Sequence, residues 1–251
     1  MYALAIMTIL FAHEMGHYVA SRRYGIPSSL PYFIPLPLPP FGTLGAVIKT
    51  KGIIPHRKAL FDIGIWGPLC GLSLAIPAVV IGLLLSDVVA IAQLPPESIS
   101  LGESPLFFLL QRIVVGSLSD HSDIVLHPLA YAGWVGLFIT ALNLLPAGQL
   151  DGGHIIYALF GRHSKMIFRL TLGGISLICL FYNLGWLLLV LFLMLIGFKH
   201  PRPVDDLTPL DLPRKVLGGF AFVIFFMSFT PIPFPSLTIT IQGLLKSWFH
   251  L

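Results

Sequence analysis

His13 and His17 stand four residues apart with Glu14 beside the first of them, in the run His13-Glu14-Met15-Gly16-His17. On a helix this spacing puts both imidazoles on one face, about 6 Å apart along the axis, where they can converge on a single ion. A carboxylate next to the first histidine can take a proton from water at such an ion, so the chemistry implied is metal-assisted hydrolysis. Only three positions are constrained, and in an arbitrary soluble sequence chance would explain them. Here they end an apolar run that begins at Met1. An ionisable residue at bilayer depth costs roughly 2.5–3.5 kcal/mol, so an unpartnered Glu14 would be expensive.

The elements that must position these residues are membrane segments. The chain of 251 residues is 56% hydrophobic and only 10% charged, with a mean hydropathy of +0.89. A soluble domain is about a quarter charged, so this is an integral, multi-pass membrane protein. The pattern predicts an all-α polytopic fold of about six transmembrane helices: Tyr2 to about Ala20, about Leu60 to Leu85, about Leu126 to Leu145, two sharing Met166 to Phe198, and about Val216 to Phe229. Tyr182-Asn183-Leu184-Gly185 is a turn between two short helices or a kink in one long one. The formal charge of +4 does not imply nucleic acid, because the basic residues gather at the ends of apolar runs, where topology explains them. Cys70 and Cys179 lie in apolar segments and read as packing residues.

Loop charges set the orientation. Arg22, Arg23, Lys49, Lys51, Arg57 and Lys58 share the first loop with no acid, which places it on the cytoplasmic side. Asp87, Glu97, Glu103, Asp120 and Asp123 face Arg112 alone in the next, which belongs outside. His13 and His17 therefore sit toward the cytoplasmic end of the first helix.

A catalytic zinc site needs a third protein ligand and one open position. Asp62 reads as a helix-start carboxylate interacting with the helix dipole. Asp151 follows the third segment in Asn143-Leu144-Leu145-Pro146-Ala147-Gly148-Gln149-Leu150-Asp151-Gly152-Gly153-His154, on the same side as His17. It is either an exposed aspartate in a turn stopped by proline and glycine, or a ligand. Charge balance favours the second, since a divalent ion with Asp151 and Glu14 makes a formally neutral cluster. The glycines after Asp151 are expected to bring backbone close to the first helix, and with Gly148 to leave room for a polar cavity.

The His-Glu-x-x-His helix and the Asn-x-x-Pro-x-x-x-Leu-Asp-Gly run, His13 to His17 and Asn143 to Gly152, together resemble the paired signatures of the site-2 protease family of intramembrane zinc metalloproteases, in prokaryotic or plastid members. The likeness extends from the first helix through the third and weakens after about Arg169. Gly42 to Ile48 and Gly67-Pro68-Leu69-Cys70-Gly71 are similar to further glycine-rich stretches of such members. The resemblance implies a zinc metalloendopeptidase cutting in or near transmembrane helices, with Zn2+ held by His13, His17 and Asp151, Glu14 as base, and Asn143 holding substrate or the developing oxyanion. His154 matches no ligand position. Members carry a helix before the histidine helix, whereas Met1 stands 12 residues before His13. The division expected is a catalytic core over 1–160 and C-terminal segments over 161–251, in a prokaryotic cell membrane or a plastid membrane.

A single-span transmembrane substrate hides its carbonyls in helical hydrogen bonds and must be unwound. Pro31, Pro35, Pro37, Pro39 and Pro40 rule out helix in the first loop, while Gly45-Ala46-Val47-Ile48-Lys49-Thr50 reads as a short strand, alone or in a hairpin, with a free edge. An extended peptide could add there, at Gly45, Ala46, Val47 and Ile48, or the loop merely shields the site from lipid. Trp66, Trp134 and Trp186 read as packing or interfacial anchors. A non-proteolytic zinc-binding scaffold or transporter of the same fold is the alternative.

Overall fold

A computed structural model describes residues 1–35, 43–49, 52–95, 98–197, 202–238 and 240. Helix α1, Tyr2–Arg23, is uninterrupted and ends in Arg22 and Arg23, cations well placed at the negative end of the helix dipole. Helix α2, Arg57–Leu84, starts where His56 accepts a hydrogen bond from the Ala59 amide, and runs through Pro68 and Pro77. Between them, strands β1, Tyr32–Pro35, and β2, Thr43–Val47, pair antiparallel, with a register shift between Ile34 and Pro35. Strand β2 thus begins two residues before the strand expected at 45–50, whose last residue, Thr50, lies outside the described residues. Gly45 lies in it at φ 105°, a conformation that other residues adopt only with strain.

Strands β3, Asp87–Ala90, and β4, Ser122–Val125, form a second two-stranded antiparallel sheet that the sequence did not lead us to expect. Helix α3, Pro105–Val114, lies between them in sequence, capped by Ser104 with proline at its first position. Helix α4 spans Pro128–Asn143, 16 residues, shorter than the segment expected over 126–145. Helix α5, Asp151–Phe160, and helix α6, Ser164–Phe181, are joined by a single tight turn. Helix α7, Leu187–Ile196, follows a break at Asn183, whose side chain accepts from the Gly185 amide, so 166–198 holds two helices. Helix α8, Leu212–Ser228, is capped by Asp211.

By length and composition, three stretches are able to cross a membrane among the described residues: Tyr2–Arg23, Arg57–Leu84 and the α5–α6 pair, Asp151–Phe181, of 22, 28 and 31 residues. The expected fourth segment corresponds to α6, which begins at Ser164, two residues before Met166, and α5 extends the apolar stretch back to Asp151. The remaining apolar helices are too short to qualify by that measure, so the expected count of six is not reached.

Helix α2 is the hub, packing on α1, α4 and α5 and touching α3 and α8. Two apolar cores meet along it. One gathers Ile6, Ile9 and Leu10 of α1 with Leu72 to Leu83 of α2 and Ala130 to Leu137 of α4. The other gathers Leu60, Phe61 and Ile65 of α2 with the end of α4 and helices α5 to α8. His13, Gly67 and Gly71 fall between the two in sequence, at the seam where a polar centre interrupts the hydrophobic packing. Trp134 and Trp186 are buried in these cores, each donating its indole N–H to a backbone carbonyl, of Gly102 and Pro231. Cys70 and Cys179 are free thiols, as the packing reading requires.

Candidate metal centre

His13, Glu14 and His17 are buried on the C-terminal half of α1, and their ligand atoms lie within 4.8 Å of one another. His17 Nδ1 stands 2.7 Å from the Ile63 carbonyl and donates to it, which leaves Nε2 unprotonated and turned inward. His13 Nε2 lies 3.1 Å from that atom.

Asp151 completes the arrangement. Its Oδ2 is 3.2 Å from His13 Nε2 and 3.3 Å from His17 Nε2. The same oxygen is buried and makes no hydrogen bond of proper geometry. Three donor atoms at mutual distances of 3.1, 3.2 and 3.3 Å are what one face of a tetrahedral ion requires: bonds of about 2.0–2.1 Å imply edges of about 3.3 Å. Glu14 belongs to a looser grouping, so the close triangle selects Asp151 over Glu14 as third donor. The donor set of two imidazoles and a carboxylate suits zinc.

Asn143, the last residue of α4, brings its side-chain amide to 3.2 Å from His13 Nε2. The run from Leu144 to Leu150 folds back through close backbone bonds, Ala147 N to Leu145 O at 2.7 Å and Leu150 N to Ala147 O at 3.1 Å, and so returns Asp151 to the same spot. Gly152 and Gly153 serve this turn, not the approach to α1 expected of them. A Cβ on Gly152 would strike the carbonyls of Leu144 and Leu145, and one on Gly153 those of Gly148 and Ala147. Gly148 and Gly153 also line a small cavity, together with Pro146, Ile156, Ser164, Lys165 and Phe168.

The wall behind the triangle is α2, and the sequence showed its Gly67 and Gly71 without their use. A Cβ on Gly67 would collide with the His17 ring, one on Gly71 would come within 3.2 Å of His13 Nδ1, and one on Gly64 within 3.1 Å of the Asp151 carbonyl. The spacing of three and four residues puts all three on one face of α2. That spacing was the available signal.

The hairpin approaches from Glu14's side. The Lys49 carbonyl accepts from Ser29 N and its amide donates to Ser29 Oγ, both at 2.9 Å, so Lys49 faces the β1 side. Ile48 is turned the other way, and its backbone N–H donates to the Glu14 carboxylate. Gly45 donates instead to Thr43 Oγ1. Asn143 and Ile48 thus reach the centre, whereas Gly45, Ala46 and Val47 are placed along the strand leading to it.

Asp62 is not a helix-start residue, because α2 begins at Arg57. Its carboxylate accepts from Arg214 Nε at 2.8 Å and Nη2 at 2.7 Å and from the Tyr24 hydroxyl at 2.5 Å.

Residues 1–182 match the family model described as peptidase family M50. The chain is 33% identical over 243 residues to probable zinc metalloprotease EGY1, chloroplastic, of Arabidopsis thaliana, covering 92% of this chain and 42% of that protein. It is 32% identical over 245 residues to probable zinc metalloprotease EGY2, chloroplastic, of Oryza sativa subsp. indica, covering 93% and 43%. With probable zinc metallopeptidase EGY3, chloroplastic, of Arabidopsis thaliana it shares 29% over 255 residues, covering 90% and 41%. The chain spans less than half the length of these curated relatives. With the model matched over most of the chain, including both histidines and Asp151, the protein belongs to peptidase family M50.

Proposed function

We propose that the chain is a zinc metalloendopeptidase that cuts membrane-protein substrates in or near their transmembrane segments, with His13, His17 and Asp151 as zinc ligands and Glu14 as the proton-handling carboxylate. The observation that carries this reading is the triangle of donor atoms around a buried Asp151 oxygen with no hydrogen bond of its own. The names of the three relatives described above, probable zinc metalloproteases or metallopeptidases, support zinc as the ion and an M50 peptidase as the activity. The catalytic core is taken as 1–160 and the C-terminal segments as 161–251. Helices α1, α2, α4, α6, α7 and α8 are taken as six crossings of a prokaryotic or plastid membrane. The acid-free first loop supports a centre facing the cytoplasmic side.

Zinc, when bound, supplies Lewis acidity toward water and the scissile carbonyl. Glu14 accepts the proton of the attacking water and passes it to the leaving amine, so the peptide bond breaks with the proton count balanced. His17 is held in one tautomer by Ile63, and the α2 glycines let both imidazoles sit flush against the wall. The Asn143 amide, next to His13 Nε2, is positioned to donate to the carbonyl oxygen as that oxygen gains charge.

A single-span substrate reaches the centre as an extended strand. The β2 edge opposite β1 has no strand beside it among the described residues, and backbone alternation turns Ala46 to the same side as Ile48. Pairing there would satisfy the unwound main chain and lead it past Gly45 and Val47 to Glu14.

Detergent-purified protein should hold one zinc per chain by elemental analysis and cut single-span substrates in a chelator-sensitive manner. Stoichiometric zinc without cleavage of any such substrate would favour the scaffold or transporter reading.

A further inference from the structure

Residues 202–211, before α8, lie outside the matched family region, yet they are tied to two of the helices beside the metal centre, α2 and α5. Val204 N–H donates to the Ile54 carbonyl at 3.0 Å and Asp205 N–H to that of Pro55 at 2.9 Å, laying the segment along the approach to α2. The next residue, Asp206, uses both carboxylate oxygens. Oδ1 accepts from Arg57 Nε at 2.8 Å, and Oδ2 accepts from the Tyr157 hydroxyl at 2.9 Å.

Those two partners belong to different helices. Arg57 opens α2, whose next turns carry the glycine wall, and Tyr157 lies on α5, whose first residue is Asp151. Arg57 also abuts Gly161 at the end of α5, where a Cβ would collide with its guanidinium. Helix α5 is therefore gripped at Tyr157 and at its C-terminus by one arginine–carboxylate pair, while its other end presents Asp151.

We propose that Asp206 is a positioning residue for the metal centre: by bridging Arg57 and Tyr157 it fixes the rotation and depth of α5 against α2, and so holds Asp151 Oδ2 in the donor triangle. This inference rests on the zinc-site reading above. The demand is a sharp one. A carboxylate oxygen about 5 Å from a helix axis moves by about 1 Å when the helix turns by about 10°, and ligand constellations tolerate about 0.5 Å. Because Asp206 sits 9 Å or so along the axis from Asp151, measured as six residues of about 1.5 Å through Tyr157, its influence passes through the whole short helix. Burial pushes the Asp206 carboxyl up, but the hydrogen bonds from Arg57 and Tyr157 outweigh it and hold the group below the usual carboxylate range. The bridge therefore stays charged at neutral pH.

The test uses the full chain in detergent, with zinc affinity measured by chelator competition and the visible absorption of the cobalt-loaded protein reporting ligand geometry. Asp206→Asn is expected to weaken zinc about tenfold, as for groups that orient metal ligands, and to alter the cobalt spectrum, with Asp206→Glu restoring most of both. Tyr157→Phe, which removes the hydroxyl that links Asp206 to α5, is expected to weaken zinc several-fold and serves if Asp206→Asn fails to fold. Zinc affinity within twofold of wild type and an unchanged cobalt spectrum in Asp206→Asn would overturn the proposal, whatever happens to thermal stability. An effect of Asp206→Asn with none from Tyr157→Phe would also overturn it, since the bridge to α5 would then not matter. A wild-type chain that takes up neither metal would instead bring down the zinc reading itself.

Discussion

Asp151 and Asp62 are equally enclosed, with side chains 15% and 16% exposed, yet their surroundings are opposite. Asp62 faces a permanent cation in two-pronged geometry, plus a hydroxyl, and needs nothing more. Asp151 faces two imidazoles, one of them fixed in the tautomer that offers a lone pair, and one of its oxygens makes no hydrogen bond of proper geometry. A buried carboxylate surrounded by acceptors is costly unless a cation joins it. What separates the proposed metal ligand from the structural ion pair is thus the lack, among the described residues, of an arginine or lysine paired with it, not depth.

The largest effect that can test this contrast is loss of the ion. Alanine at His13, His17 or Asp151 should empty the site, seen as zinc falling from one per chain to background by elemental analysis. Retention of full zinc by Asp151→Ala would erase the distinction from Asp62.

Glu14→Gln comes next. It removes the proton carrier and no ligand, so cleavage should fall about 100- to 10,000-fold, the usual contribution of a general base, while zinc stays bound. Turnover within about tenfold of wild type would take that role from Glu14.

The two aspartates also differ in how far the sequence reveals them. His13, Glu14, His17 and Asp151 were legible because each motif is local: a four-residue helical spacing, and a proline–glycine turn ending in Asp-Gly-Gly. The partners of Asp62 were hidden because Arg214 lies 152 residues away, and no local pattern encodes such a pairing. The same holds for Arg57 with Asp206, 149 residues apart. Long apolar runs gave α1, α2 and α8 to within three or four residues at their ends. The break near Asn183 stayed open because a capping side chain and a kink read alike in sequence. Helix α3 was missed although Ser104-Pro105 is a start signal, because ten apolar-rich residues compete poorly with a search for spans of about 20. Gly67 and Gly71 of α2 were visible only as part of a glycine-rich stretch, and Gly64 not at all, since their role is to make room for groups on other helices.

That role yields the third prediction. Gly67→Ala would press a methyl group into the His17 ring. Overpacking of this kind typically costs about 1–3 kcal/mol, so zinc affinity should drop by about tenfold or more in chelator competition. Unchanged affinity would mean that α1 can shift without disturbing the triangle. On the opposite side of Glu14, Ala46→Pro removes an amide of the free β2 edge and leaves the Ile48 amide to Glu14 in place. If substrate pairs along β2, KM should rise about tenfold, the worth of roughly one hydrogen bond, with zinc content unchanged. Wild-type KM would leave the hairpin as a shield and Asn143 as the next place to look for substrate contact.

The smallest effect on the metal belongs to Asp62. Asp62→Asn keeps the shape and a hydrogen-bonding oxygen but removes the charge opposite Arg214, which retains Asp211 at 2.5 Å as a partner. The loss is that of charge-assisted hydrogen bonds, about 1–2 kcal/mol, a few degrees in thermal midpoint. Zinc content should nevertheless stay at one per chain and affinity within twofold of wild type, because Asp62 touches neither imidazole. It does precede Ile63, whose carbonyl orients His17, by a single residue. If zinc affinity falls in step with stability, the Arg214 cluster is acting through that carbonyl, and the line between the structural acid and the ligating one is weaker than their surroundings indicate.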